Sequence, residues 1–164
     1  MRCRLISRLV IAVPMAALLV AGLGKAMDVA QFDEQLSTWR IFPQWAIAPV
    51  ALMIPAAEVG TFAAWITTPQ GKIAKAAAGL LILSTSVVYG TEWAIAEAPQ
   101  CACFGILSRF DAFEARAATV EIRNAVFLFM LALGTLLARR AETDQRGGNS
   151  NERPSEDRAC LQRS

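Results

Sequence analysis

Histidine is absent from this sequence of 164 residues. Its absence removes imidazole acid–base catalysis, Ser–His and Cys–His nucleophile pairs, and the commonest metal ligand in proteins. The sequence therefore predicts no metal site, and any chemistry must come from carboxylates, cysteines or basic groups.

Charged residues are also scarce, since they make up 18% of the chain, against about 25% in soluble domains. The formal net charge is only +2, which is too small for nucleic-acid binding driven by counterion release. Hydrophobic residues instead make up 55% of the chain, and the mean hydropathy is +0.40. This composition argues against a water-soluble protein and against a nucleic-acid partner.

The hydrophobic residues are concentrated in four runs, each near the length of about 20 residues that a helix needs to cross a bilayer. The runs cover about residues 9–24, 46–67, 73–96 and 122–138. They predict an all-α integral membrane protein whose residues 1–140 form a four-helix transmembrane bundle in contact with the lipid bilayer. Residues 141–164 are polar and lack apolar periodicity, so we predict a disordered cytoplasmic tail.

Lysine and arginine are distributed unevenly between the two sides of this bundle, with eleven on the side of both termini and five on the other. The positive-inside rule then places both termini in the cytoplasm and both long connections outside, which is the periplasm for a multi-pass protein of the bacterial inner membrane. Residues 1–24 also resemble a signal peptide, with a charged start and a small-x-small sequence at residues 22–24. We favour an uncleaved first span, because the downstream spans then need no other export signal.

Two further patterns bear on how the helices pack. A small residue recurs at every fourth position of the second span, at Ala56, Gly60 and Ala64. This spacing predicts a face that another helix approaches closely. In the first outer connection, apolar residues have helical spacing at Phe32, Leu36 and Trp39. They predict a short amphipathic helix on the bilayer surface.

Two of the four cysteines form a motif that indicates redox chemistry. Cys3 and Cys160 fall in the predicted cytoplasmic tails, where thiols stay reduced. Cys101 and Cys103 form a Cys-Ala-Cys sequence in the second outer connection, on the oxidising side of the membrane. A disulfide between them closes a very small, strained ring that adds little stability, and such disulfides are typical of thiol–disulfide exchange. We favour a thiol–disulfide oxidoreductase pair, with a static disulfide or half of a metal site shared with a partner as alternatives.

Glu58 lies deep inside the second span, 13 residues after Trp45, which is about 20 Å along a helix. An ionisable group inside the bilayer costs at least about 2.5 kcal/mol and usually has a partner or a function, so we expect Glu58 to face the bundle interior. Two interpretations stay open: a structural role, in which Glu58 is protonated or hydrogen-bonded to a neighbouring helix, or a proton relay or quinone contact. Apart from such a quinone, the sequence indicates no cofactor.

Several more polar residues gather, by topology, near the depth of the Cys pair at the outer ends of the spans. They are Lys25, Arg40, Tyr89, Glu92, Arg123 and Asn124. Nearby lysine and arginine side chains would favour the thiolate form of a cysteine and activate it for exchange. The alternative for each residue alone is ordinary snorkelling to the interface.

Five motifs, in order along about residues 5–140, are shared with one protein family. They are Ala21-Gly22-Leu23-Gly24-Lys25 with Asp28, Trp39-Arg40-Ile41-Phe42-Pro43, Pro55-Ala56-Ala57-Glu58-Val59-Gly60, Cys101-Ala102-Cys103-Phe104-Gly105 and Arg123-Asn124. On these motifs the chain resembles the methylamine utilisation protein MauE family, within the wider group of DoxX-like and MauE-like redox-associated membrane proteins.

The resemblance implies a function in methylamine metabolism. MauE proteins are linked to maturation of the small subunit of methylamine dehydrogenase, a periplasmic polypeptide with many disulfides and a tryptophan-derived quinone. The resemblance also implies a four-helix layout similar to vitamin K epoxide reductase-type enzymes, with Cys101 and Cys103 serving that subunit or a periplasmic thioredoxin-like partner. The competing interpretation is a non-enzymatic membrane assembly or export factor whose Cys pair is structural.

Overall fold

A computed structural model describes residues 2–68, 71–95 and 117–150. These residues form five helices: α1 Arg2–Met27, α2 Val29–Ser37, α3 Gln44–Thr67, α4 Lys72–Ile95 and α5 Ala117–Ser150. Pro14, Pro49 and Pro55 lie inside α1 and α3, which remain continuous. The all-helical prediction is therefore confirmed for the described part of the chain.

Within these ranges, four helices are long and apolar enough to cross a membrane. The candidate spans are Leu5–Met27, Gln44–Thr67, Lys72–Ile95 and Thr119–Ala141. Each contains or nearly matches one of the hydrophobic runs, with ends that differ by a few residues. The differences arise because flanking polar residues continue a helix once its apolar part has formed, so hydropathy alone underestimates helix length.

The bundle is built around α1, which packs against α3 on one side and α5 on the other, while α4 packs against both α3 and α5. The Ser7 hydroxyl donates a hydrogen bond of 2.8 Å to the Gly134 carbonyl, so the start of α1 meets the later part of α5. Buried apolar side chains from three of these helices fill the core, namely Ile11, Met15, Leu18, Ala78, Ile82 and Leu131. We call the opposite end of the bundle, where α1 and α4 end and α3 and α5 begin, the α2 end.

The first outer connection does form a short helix, α2, but this helix packs on protein. The Asp28 carboxylate caps it by accepting a hydrogen bond of 3.0 Å from the Gln31 backbone N–H. Phe32 and Leu36 are buried in a cluster with Ile47 and Ala51 of α3. The predicted amphipathic helix is therefore present for Phe32 and Leu36, but it ends at Ser37 and does not include Trp39. Its apolar face lies against α3 and not on the bilayer surface. The short connection 38–43 explains this, because it holds α2 beside the first turns of α3.

The last helix also differs from its prediction. α5 continues to Ser150, so residues 141–150 are helical where we predicted disorder. Adding a residue to an existing helix is much easier than nucleating a new one, and Ala141 and Glu142 are good helix formers after Arg139 and Arg140. Residues 151–164 lie outside the described residues.

The close approach between helices occurs at Gly22 and not at the predicted small-residue face. Ala56, Gly60 and Ala64 are exposed on the described bundle, and a Cβ at Gly60 would meet nothing within 4 Å. A Cβ at Gly22, in contrast, would lie 3.0 Å from Glu58 Cβ and 3.2 Å from the Pro55 carbonyl oxygen. No helix of the described bundle packs on this face, so the approach of another helix to it stays a prediction.

These two glycines give a matched test of the α1–α3 contact. Gly22→Ala is expected to destabilise the protein by about 1–3 kcal/mol, because the new methyl group overpacks a backbone contact. Gly60→Ala is expected to be neutral or stabilising, since alanine favours the helix and has open space there. Thermal unfolding of the purified protein in detergent measures both. Equal melting temperatures for the two variants would contradict the observed packing.

Candidate functional site

A buried ion pair joins Lys25, in the last turn of α1, to Glu58, near the middle of α3. Lys25 Nζ lies 2.6 Å from Glu58 Oε1 and 2.8 Å from Glu58 Oε2. The two side chains are only 6% and 7% exposed. Each charge therefore has its main partner in the other, which is how buried charges are usually tolerated.

The sequence around Lys25 explains why the pair can form. Gly22 and Lys25 are three residues apart and share one face of α1. Because Gly22 has no side chain, α3 approaches closely enough for its Glu58 to meet the lysine. The ammonium group also lies 5.7 Å from the centre of the Phe32 ring, a cation–π distance. α2 thus covers the pair on the side of the α2 end.

A cavity of about 150 Å³ lies beside this ion pair. All of α1 to α5 contribute to its wall, together with the connection between α2 and α3. Most lining side chains are apolar, and four are aromatic: Phe32, Trp39, Phe42 and Phe127. The polar part of the wall combines the ion pair with Arg123 and Asn124 of α5 and with Ser84 and Thr85 of α4.

Asn124 and Arg123 lie in the second turn of α5 on the cavity wall. The Asn124 amide Nδ2 donates a hydrogen bond of 2.9 Å to the Ser86 hydroxyl of α4. Arg123 Nη2 lies 3.4 Å from the Asn124 side-chain oxygen. Its guanidinium also experiences the charges of Glu58 and Glu121. These contacts connect α5 to α4 at the same level as the Lys25–Glu58 pair.

A second polar cluster lies where α4 ends. Glu92 is 2% exposed, and its Oε1 accepts a hydrogen bond of 3.0 Å from the Arg40 backbone N–H. Tyr89, one turn earlier, packs edge-on against Trp39 at 6.0 Å between ring centres. The connection from α2 to α3 is therefore fastened to α4. The Arg40 side chain is exposed and does not enter the cavity.

Four of the polar residues singled out from the sequence thus surround one cavity: Lys25, Glu58, Arg123 and Asn124. Glu92 and Arg40 interact with each other instead, Arg40 through its backbone. Cys101 and Cys103 lie outside the described residues, in the segment 96–116 that connects the end of α4 to the start of α5. For Glu58, the interior position is confirmed, and of its two interpretations the contact with a neighbouring helix is observed.

Sequence reasoning missed three contributors to this region. Ser86 and Glu121 were not distinguished from other polar residues within spans. Trp39 fits the pattern of an interfacial anchor, but it lines the cavity. A sequence signal was available for Trp39 and for Gly22, since both lie in the motifs shared with the MauE family.

The arrangement defines a class of protein, a multi-pass helical membrane protein with a buried charge pair and a cavity inside its bundle. Within that class, the family model for methylamine utilisation protein MauE matches residues 4–137. The chain therefore belongs to the MauE family, and a function in methylamine utilisation is consistent with this membership. Neither a curated protein nor a solved structure matches the chain.

Proposed function

We propose that the protein supports the maturation of a periplasmic client, the small subunit of methylamine dehydrogenase or a similar polypeptide, by thiol–disulfide exchange at Cys101 and Cys103. Membership of the MauE family is the observation that carries this proposal. Maturation of methylamine dehydrogenase is the process that the resemblance implies. A client with many disulfides needs a partner that exchanges thiols and disulfides with it.

The arrangement of the described helices supports the proposal. The Cys pair belongs to the connection that leaves α4 at Ile95 and enters α5 at Ala117. Both positions are at the α2 end. Lys25, in the last turn of α1, and Arg123 and Asn124, in the second turn of α5, lie toward this end, whereas Glu58 lies near the middle of α3. A buried polar cluster inside a membrane bundle is costly to maintain and is usually functional. The segment that carries the thiol pair therefore leaves and re-enters the described helices at the α2 end, and the buried cluster lies deeper, between that end and the middle of the bundle.

The orientation proposed for the bundle puts the α2 end in the periplasm of a bacterial inner-membrane protein. Lysine and arginine are more numerous toward the other end, where α1 and α4 begin and α3 and α5 end. In the periplasm thiols can form disulfides, whereas in the cytoplasm they remain reduced. The mechanism depends on this orientation.

Two measurements test the proposed function: the compartment in which the Cys pair lies, and the redox state of the pair. A topology reporter fused near Ser108 is expected to report periplasm, and one fused after Arg140 to report cytoplasm. Thiol trapping is expected to find that the oxidised fraction of Cys101 and Cys103 changes when the client is produced, because exchange consumes one state. An oxidised fraction that is the same with and without client contradicts exchange, and a cytoplasmic Ser108 contradicts the orientation.

A further inference from the structure

The wall of the cavity beside the Lys25–Glu58 pair carries an unbalanced charge. Within the described residues, its charged side chains are those of Lys25, Glu58 and Arg123. Lys25 and Glu58 contact each other, so their charges cancel wherever the proton between them lies. Arg123 adds a guanidinium group, which stays protonated in proteins. The described wall therefore has one positive charge in excess.

Glu121 does not compensate this charge inside the cavity. Its carboxylate acts electrostatically on Arg123, but Glu121 is not one of the residues that line the cavity. A Cβ at Gly90 of α4 would lie 3.7 Å from Glu121 Oε1, and Gly90 does not line the cavity either. Glu121 therefore weakens the field of the guanidinium from outside the wall and offers no anion to the cavity itself.

The hydrogen-bonding groups of the wall also favour an acceptor as ligand. Trp39 lines the cavity, and its buried Nε1 has no hydrogen-bond partner within the described ranges. Lys25 uses two N–H groups on the two oxygens of Glu58, and an ammonium group carries a third. The hydroxyl groups of Ser84 and Thr85 donate to a carbonyl of their own helix and present only neutral oxygens. A ligand that complements these donors supplies acceptor oxygens.

The apolar part of the wall limits the body of the ligand. The cavity volume is about 150 Å³, and an engineered apolar cavity of about 150 Å³ in another protein accommodates benzene. The four aromatic side chains of the wall, Phe32, Trp39, Phe42 and Phe127, offer flat apolar surfaces. The body of the ligand is therefore apolar and about the size of one six-membered ring, whereas the chain of a fatty acid exceeds this space.

We propose that this cavity binds a small monocarboxylate with an apolar body of about one ring, whose carboxylate is held by Arg123 and Lys25 and accepts a hydrogen bond from Trp39 Nε1. A carboxylate suits Arg123 because it pairs with a guanidinium through parallel, charge-assisted hydrogen bonds. It also supplies the negative charge that the wall lacks. Binding requires no reaction at Cys101 or Cys103, so this inference goes beyond the proposed thiol exchange and does not depend on it.

The test is equilibrium binding of radiolabelled benzoate to the full-length protein in nanodiscs of phosphatidylcholine, with empty nanodiscs as the background. Unlabelled benzoate is expected to displace the label. Benzamide, which has the same shape without the charge, is expected to require a concentration at least about tenfold higher. Benzylamine, a cation at neutral pH, is expected not to compete. Absence of displaceable benzoate binding, or equal competition by benzoate and benzamide, overturns the proposal.

Arg123→Gln tests the group that supplies the excess charge. The variant keeps a polar side chain and removes the guanidinium, so benzoate binding is expected to weaken at least about tenfold and the preference for benzoate over benzamide to disappear. Altered packing would weaken both ligands alike, so the preference separates charge recognition from a structural effect. Arg139→Gln is the matched control, because Arg139 is exposed on α5 and does not line the cavity. A preference that persists in folded Arg123→Gln contradicts the proposal.

Trp39→Phe keeps the proposal testable if Arg123→Gln fails to fold. It retains an aromatic ring and removes only the Nε1 donor, so benzoate binding is expected to weaken about fivefold, the typical loss for one hydrogen bond. Trp93→Phe is the matched control, because Trp93 is exposed on α4 and does not line the cavity. Unchanged affinity in Trp39→Phe rules the site out as described, and tighter binding of decanoate than of benzoate overturns it in favour of a long-chain lipid anion.

The Cys pair provides the comparison with the proposed function. The Cys101→Ser/Cys103→Ser variant is expected to bind benzoate as the unmodified protein does, because neither thiol is needed for the carboxylate site. A protein that binds benzoate and fails in thiol exchange therefore disproves only the proposed function, and one that exchanges thiols without binding benzoate disproves only the carboxylate site.

Discussion

Glu58→Gln is expected to destabilise the protein by about 3–5 kcal/mol, because it leaves the Lys25 ammonium buried without its counter-charge. The geometry supports a loss of this size, since Lys25 Nζ contacts both carboxylate oxygens, at 2.6 and 2.8 Å. Thermal unfolding in detergent and the amount of protein in the membrane measure the effect. Lys72→Met is the control, because Lys72 is exposed at the start of α4 and its loss should change neither quantity.

The double variant Lys25→Met/Glu58→Gln shows whether the stability lost in Glu58→Gln comes from the unpaired charge of Lys25 or from the loss of the Glu58 carboxylate itself. With both charges removed, no buried charge is uncompensated, so we expect at least half of the stability lost in Glu58→Gln to return. The stability changes of the two single variants and the double variant form a cycle, whose interaction free energy reports the pair directly. Strictly additive changes would contradict the ion pair as a stabilising contact.

The same double variant also decides what Glu58 does. If the charges serve only to join α1 to α3, a restored fold should restore client maturation. If a proton relay requires a titrating carboxylate, the double variant should be abundant and inactive. The two remaining interpretations of Glu58 therefore give opposite results in one strain.

The second large effect is expected at the Cys pair. Replacing Cys103 alone with Ser leaves Cys101 able to attack a client disulfide and unable to resolve the mixed disulfide that results. A reducible adduct of higher mass should accumulate on a non-reducing gel, with the reciprocal experiment on Cys101→Ser identifying which thiol attacks. Client maturation should fail in both variants.

The double variant Cys101→Ser/Cys103→Ser distinguishes thiol exchange from a structural disulfide. A disulfide that closes so short a loop adds little stability, so the double variant should remain abundant, form no adduct and fail to mature the client. Cys160→Ser is the matched control and should behave as the unmodified protein. A double variant that is abundant and fully active eliminates exchange, and one that disappears from the membrane supports the assembly factor.

The sequence by itself determined the membrane-spanning helices, because burial in hydrocarbon depends on the composition of each segment more than on its neighbours. It also determined that Glu58 faces inward, since an ionisable group at that depth cannot face lipid without a large cost. The MauE family could likewise be recognised from motifs spread over most of the chain, and the family model confirms it.

Only the tertiary structure decided which groups meet. Lys25 and Glu58 are 33 residues apart, and their pairing depends on the close approach at Gly22, which no local pattern specifies. The spacing of Ala56, Gly60 and Ala64 predicts a face for a close helix contact, but no helix of the described bundle packs there, because such spacing does not specify which helix is the partner. The cavity likewise belongs to no single segment, since its wall is assembled from all five described helices.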